Sequence, residues 1–233
     1  MSDCGRVFVL GITIVVSVAL IDNLCAAQTS TIVDSRDGKT YKTIQVGRQL
    51  WMAQNLAYAP IMSFTFNNKT EGDSLTGSIQ NEGREYKDSN YESFAYCYND
   101  SVRNYEKYGA LYTWEAALIG CPSGWHLPSE QEFDSLLTTI GGNRKNVYRT
   151  LIGGGASGFE GQLAGGLYHF QTMHPSFIGK DNAGFFWTSS EITKPHHERK
   201  VVYAVLYRPY HNVMKKSSML HSHASYSVRC VKD

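Results

Sequence analysis

The chain has 233 residues, with 22 lysines and arginines against 21 aspartates and glutamates and a formal net charge of +1. So even a balance excludes the broad basic surface that binds nucleic-acid phosphates, so nucleic acid is not an expected partner. The length suits a single domain with one good hydrophobic core.

The first six residues carry one arginine, and Val7 to Ile21 is apolar apart from Gly11, Thr13 and Ser17. Asp22 and Asn23 follow, then Cys25-Ala26-Ala27, which puts small residues at the minus-three and minus-one positions of a cut after Ala27. This pattern predicts a secretory signal peptide over residues 1–27. The apolar run is about 15 residues, short of the roughly 20 that a membrane-spanning helix needs. The expected location is therefore secreted, periplasmic or at a cell surface, with no integral membrane segment after cleavage. Residues 28–233 are left as a single domain, still close to neutral.

That domain opens on two β-rich runs, Thr31 to Asp34 and Thr40 to Val46, separated by Ser35-Arg36-Asp37-Gly38-Lys39. The Asp-Gly pair predicts a hairpin. Leu50-Trp51-Met52 reads as a third strand, giving an antiparallel meander. From about Ala59 to Asn90 the composition turns to Asn, Gly, Ser, Thr, Glu and Lys, which predicts a surface insertion or an extra hairpin. Tyr108-Gly109 opens a first helix, in which Leu111, Trp114, Ala117 and Leu118 recur at helical spacing until Gly120 stops it.

The run Cys121 to Leu137, CPSGWHLPSEQEFDSLL, predicts a second helix beginning at Pro128 to Ser129. Ser129 and Glu132 have the spacing of a capping box, and Phe133, Leu136, Leu137 and Ile140 form one apolar stripe. Glycines from Gly141 to Gly166 predict tight turns. The triple glycine Gly153-Gly154-Gly155 lacks the Gly-Lys-Ser/Thr that a phosphate-cradling loop requires. Phe185 to Ser189, Val201 to Tyr207 and Tyr226 to Val231 are strand-like. Strands, two helices, loops and strands make an α+β domain whose two ends can meet in one sheet.

Of five cysteines, Cys4 and Cys25 belong to the signal segment, leaving Cys97, Cys121 and Cys230. Export permits disulfides, and an odd count leaves one thiol free or paired between molecules. A Cys121–Cys230 bridge would tie the final strand-like run to the middle of the sequence. Closing so long a loop contributes about 4 to 5 kcal/mol in the entropic treatment. Cys97 is then the odd one.

Six stretches in order resemble the Fibrobacter succinogenes major paralogous domain family, over about Thr31 to Asp233: Asp37 to Thr43, Trp51 to Leu56, Tyr108 to Trp114, CPSGWHLPS, Phe186 to Glu191 and Ser227 to Asp233. The resemblance implies an exported bacterial domain with a fold similar to the C-type lectin-like fold, shared with formylglycine-generating enzymes. It implies no particular activity. Members often carry a second cysteine a few residues after the one at Cys97, where this chain has Tyr105, and the insertion after Ala59 is longer than the family leads one to expect. The insertion and the Gly141 to Gly179 loops are where differences in ligand would be expected.

Each candidate chemistry has a sequence test. A calcium site would draw on Asp181, Asn182 and Glu191, but six to eight oxygen ligands are needed, so no cofactor is predicted and calcium stays a possibility. An oxidase of the formylglycine-generating type needs paired reactive cysteines, and Cys97 has no partner within sequence reach. His196-His197 and His221 with His223 lack the residues that would complete a zinc set. Tyr203, Tyr207 and Tyr210 cluster near Arg208 and His211, and aromatic rings with a polar tip suit protein or carbohydrate contacts. Trp51, Trp114, Trp125 and Trp187 all fall in the shared motifs and are assigned to the core. The expected function is a non-enzymatic surface binding or adhesion module for a protein or glycan. An enzyme on the same fold and a structural component of a surface assembly are the alternatives.

Overall fold

The computed structural model describes residues 29–58, 95–141, 144–168, 176–193, 199–219 and 224–233. The expected signal peptide and the expected insertion at 59–90 lie outside them, as do His196, His197, His221 and His223. Among the described residues no helix is long and apolar enough to cross a membrane.

The opening meander forms as the sequence predicts. β1 (Thr29–Val33), β2 (Thr40–Val46) and β3 (Gln49–Met52) pair antiparallel in order. Gly38 supplies the left-handed φ of 74° that the turn between β1 and β2 requires. Asp34, fully buried beside that turn, accepts hydrogen bonds from the backbone N, Nε and Nη2 of Arg36. Burial works against its charge, but the Arg36 bonds outweigh burial and hold the carboxyl below its ordinary range. Arg36 also donates to the carbonyls of Gly120 and Cys121, so the hairpin is fastened to a segment far along the chain.

The single helix expected from Tyr108 to Gly120 is shortened to its second half, a strand takes the place of its first turns, and another helix precedes it. After β4 (Ala95–Tyr96), α1 (Val102–Tyr108) ends at Gly109, β5 (Leu111–Tyr112) pairs with β4, and α2 (Trp114–Gly120) follows. Gly109 has a φ of 73°, and a Cβ there would lie 2.7 Å from the Leu56 carbonyl oxygen, so the chain must turn there on a glycine. Thr113 then starts α2 afresh, its hydroxyl accepting from Ala116 N at 3.4 Å. Leu111 and Tyr112 are buried because a sheet covers them. That burial imitates a helical stripe in the sequence.

β6 (Trp125–His126) leads to α3 (Glu130–Ile140), whose start is the predicted capping box. Ser129 Oγ accepts from Glu132 N, and Glu132 Oε2 accepts from Ser129 N at 2.7 Å. Phe133 and Leu136 are buried, with Leu137 and Ile140 packed beside them. The glycine-rich region holds a helix the sequence did not reveal, α4 (Arg144–Leu151), before its turns begin. A Cβ on Gly155 would sit 2.3 Å from the Thr150 carbonyl oxygen. The last of the three glycines therefore serves close backbone packing, and Gly154 takes a left-handed φ of 78°.

The remaining strands are β7 (Gly166–Tyr168), β8 (Ser176–Ile178), β9 (Ala183–Thr193), β10 (Arg199–Tyr207), β11 (Asn212–Met219), β12 (Ala224–Ser227) and β13 (Val231–Lys232). One sheet runs β1-β2-β3-β13-β6, so the two ends of the described chain do meet in a sheet. The other runs β11-β10-β9-β12-β5-β4, with β7 on β12 and β8 on β7. Pairing is antiparallel except between β12 and β9. Val201, Tyr203 and Val205 of β10 join one buried cluster with Trp187, Tyr226, Trp114 and Trp125, while Ala204 and Leu206 join another with Trp51, Phe133 and Phe159. An apolar run buried on both faces is what an interior strand requires. The Cys121–Cys230 disulfide is formed, and Cys97 is buried outside it.

His126 bridges two carboxylates where β6 meets α3. Nδ1 lies 2.6 Å from Asp233 Oδ1 and Nε2 lies 2.8 Å from Glu132 Oε1. Burial disfavours its charged form, yet the bonds to Asp233 and Glu132 outweigh burial and raise its pKa above the ordinary 6.5. A raised value contributes stability fully below 6.5, and that contribution is lost as pH rises through the higher folded-state value. The lowered pKa of Glu132 acts the other way, its share fading only on acidification below its ordinary 4.5. Between about pH 6 and pH 8 the wild-type thermal midpoint should therefore fall more than that of His126→Gln, and more at low salt than at high. Parallel curves for the two proteins would contradict this.

Candidate functional site

Two turns and one short helix come together at one end of the larger sheet. Gly179, with a φ of 74°, ends β8, and Asp181 takes a left-handed φ of 63° before β9 begins. Aspartate tolerates that conformation better than most side chains. The Gly179 carbonyl accepts from Asn182 N at 2.9 Å and from Ala183 N at 2.7 Å, closing the turn. Across β10, the Asn182 carbonyl accepts from Arg208 N at 2.9 Å, which brings in the turn Arg208–Tyr210. Pro209 near its start and a left-handed His211 at its end fix that turn.

α1 closes the other side. Asn104, buried, donates Nδ2 to the Tyr98 carbonyl, and Gln162 Nε2 donates to the Lys107 carbonyl at 2.8 Å, so both ends of α1 are held. Tyr108 donates its hydroxyl to Asp181 Oδ1 at 2.8 Å. Between α1 and the Gly179–Asn182 turn lies a depression of about 380 Å³, lined by Ser101, Arg103, Asn104, Lys107, Tyr108, Lys180 and Asp181. Lys107 Nζ lies 4.6 Å from the Tyr108 ring centre. Its contact with Tyr108 holds the ammonium above its ordinary pKa, so it is charged at neutral pH. Three cations thus line the same depression as one carboxylate that is already oriented by a tyrosine hydroxyl.

None of the tyrosines singled out from sequence lines this depression. Tyr210 is 71 % exposed, and Arg208 is exposed beside it. Tyr207 is half-buried with its ring 5.5 Å from that of Tyr210. Tyr203 is not at the surface. Its ring packs on Tyr226 at 4.8 Å and Trp187 at 5.8 Å, because its position in the middle of β10 is covered by the core.

The calcium set is not brought together. Asp181 and Asn182 stand at the start of β9 and Glu191 near its far end, separated by about 30 Å of extended strand, whereas calcium ligands converge to about 2.5 Å from one ion. Among the described residues no group of three or more metal-ligating side chains is assembled. The buried Cys97 thiol lies in the core, as expected of an inert cysteine.

Arg103, Lys107, Tyr108 and Lys180 were not legible as a site. Arg103, Lys107 and Tyr108 lie together on α1 and Lys180 far along the chain, and each of the three cations alone reads as an ordinary surface residue. The signal that could have found Asp181 is the Gly-Lys-Asp-Asn turn, which sequence analysis treated as a source of metal ligands only.

A family model described as the Fibrobacter succinogenes major domain matches residues 44–232. No curated protein and no solved structure matches the chain.

Proposed function

The chain belongs to the Fibrobacter succinogenes major domain family, and from this we propose that it is an exported, non-enzymatic binding module, lectin-like in fold, that recognises a ligand through its loops. The single observation supporting this reading is the site itself. A cationic depression and an exposed tyrosine stand on adjoining turns, each turn held by backbone hydrogen bonds to its neighbours. Preformed polar groups on rigid supports bind without a large ordering cost. An exposed aromatic ring beside them offers apolar contact to a protein surface or to a sugar face.

The reading makes a direct prediction. Immobilised glycans and purified cell-surface proteins should capture the chain saturably, and Tyr210→Ala should weaken that capture about tenfold, the scale of an aromatic anchor. Silence on both arrays, together with assembly of the chain into polymers, would instead favour a structural component.

A further inference from the structure

We infer that the depression between α1 and the Gly179–Asn182 turn takes an acidic saccharide, a sugar carrying a carboxylate or sulfate. This rests on the binding-module reading above and names the ligand class of the same site. The lining is mixed in a particular way. Arg103, Lys107 and Lys180 present ammonium and guanidinium donors, which match an anionic oxygen group. Asp181 stands among them, and only acceptor capacity is available from an ionised carboxylate. Its Oδ1 takes one hydrogen bond from Tyr108, and a carboxylate has about four lone-pair sites in all. Ser101 adds a hydroxyl and Asn104 an amide.

A bare anion such as phosphate uses the cations alone and is repelled by Asp181. A sugar with an acidic substituent uses both, its anionic group on the cations and its hydroxyls donating to Asp181. An acidic peptide fits less well. The lining residues belong to α1, its flank and a turn, with no strand edge among them to pair an extended backbone. The volume, about 380 Å³, is that of a small-ligand cleft and too small for a helix.

The experiment titrates the whole chain with four probes: oligogalacturonate, a sulfated galactan oligosaccharide, a neutral galacto-oligosaccharide and poly-glutamate. Binding of one or both acidic saccharides is expected, and which of them binds separates carboxylate from sulfate. Arg103→Gln and Lys180→Gln should each weaken it about tenfold, while the exposed Arg48→Gln leaves it unchanged. Raising salt from about 0.1 M to 1 M, which shortens the Debye length from about 10 Å to about 3 Å, should weaken it steeply. Equal affinity for the neutral saccharide, tighter binding of poly-glutamate, or indifference to both substitutions overturns the inference. If the neutral sugar binds and Tyr210→Ala abolishes it, the binding-module reading survives alone. If none of the four probes binds, the inference fails, and silence on the wider arrays decides the reading beneath it.

Discussion

Replacing Arg229 by alanine is expected to destabilise the fold by about 3 to 5 kcal/mol, the cost of several buried acceptors left without a donor, a fall of roughly 6 to 20 °C in thermal midpoint for a chain of this size. Arg229 is fully buried, and its guanidinium donates to Asn55 Oδ1 at 2.8 and 3.2 Å, to the carbonyls of Met52 and Glu160 at 3.2 Å, and to the carbonyl of Phe159. It also lies 4.4 Å from the Phe159 ring centre. Burial pushes its pKa down to about 9, which leaves it charged at neutral pH. Among these partners the acceptors are carbonyls and one amide, so the charge is held by dipoles. Removing it leaves those acceptors buried without a donor, and each orphaned group costs about 1 to 3 kcal/mol. Arg229→Lys should recover only part of the loss, since three donors on a flexible stem cannot reproduce a planar fork. Urea unfolding of both variants measures this. A loss below about 1 kcal/mol for alanine would mean that water reaches the vacated carbonyls.

Removal of the Cys121–Cys230 disulfide is expected to cost a similar amount. The bridge spans 109 residues, and releasing a loop of that length costs about 4 to 5 kcal/mol in the entropic treatment. Alanine at both positions is the cleaner substitution, because Cys230 is fully buried and a serine hydroxyl there would need a partner. Part of the loss should be recovered locally, since Arg36 still holds the Gly120 and Cys121 carbonyls. Denaturant midpoints for the oxidised wild type, the reduced wild type and the double variant test it. The last two should agree, both well below the first. Equal midpoints for the oxidised and reduced wild type would show that the bridge constrains nothing that the folded packing does not already hold.

Local features were the ones legible in the sequence. The capping box at Ser129 and Glu132, the Asp37-Gly38 turn and the four buried tryptophans all act within a few residues or by bulk hydrophobicity. What escaped was built from segments with little apolar contrast. α1 carries Arg103, Glu106 and Lys107 on its exposed side, and β11 buries Val213 while its lysines face water. Neither has a periodicity strong enough to declare itself. Arg229 was hidden for another reason. An arginine reads as a surface residue until its acceptors are known, and those acceptors sit on two segments, Met52–Asn55 and Phe159–Glu160, that only the fold unites. The same holds for the depression, whose cations lie on α1 and on the turn before β9.

The pairing order of the sheets bears on how the protein reaches its folded state. β13 lies between β3 and β6, and β12 between β9 and β5, so residues 224–232 occupy interior positions in both sheets. They follow every other described element in sequence. Until they emerge, each sheet has a missing central strand and the segments synthesised earlier have no complete surface on which to settle. Such non-local pairing defers completion of both sheets until residues 224–232 have been made. One short segment thus completes both sheets at once, the last described part of the chain to be made.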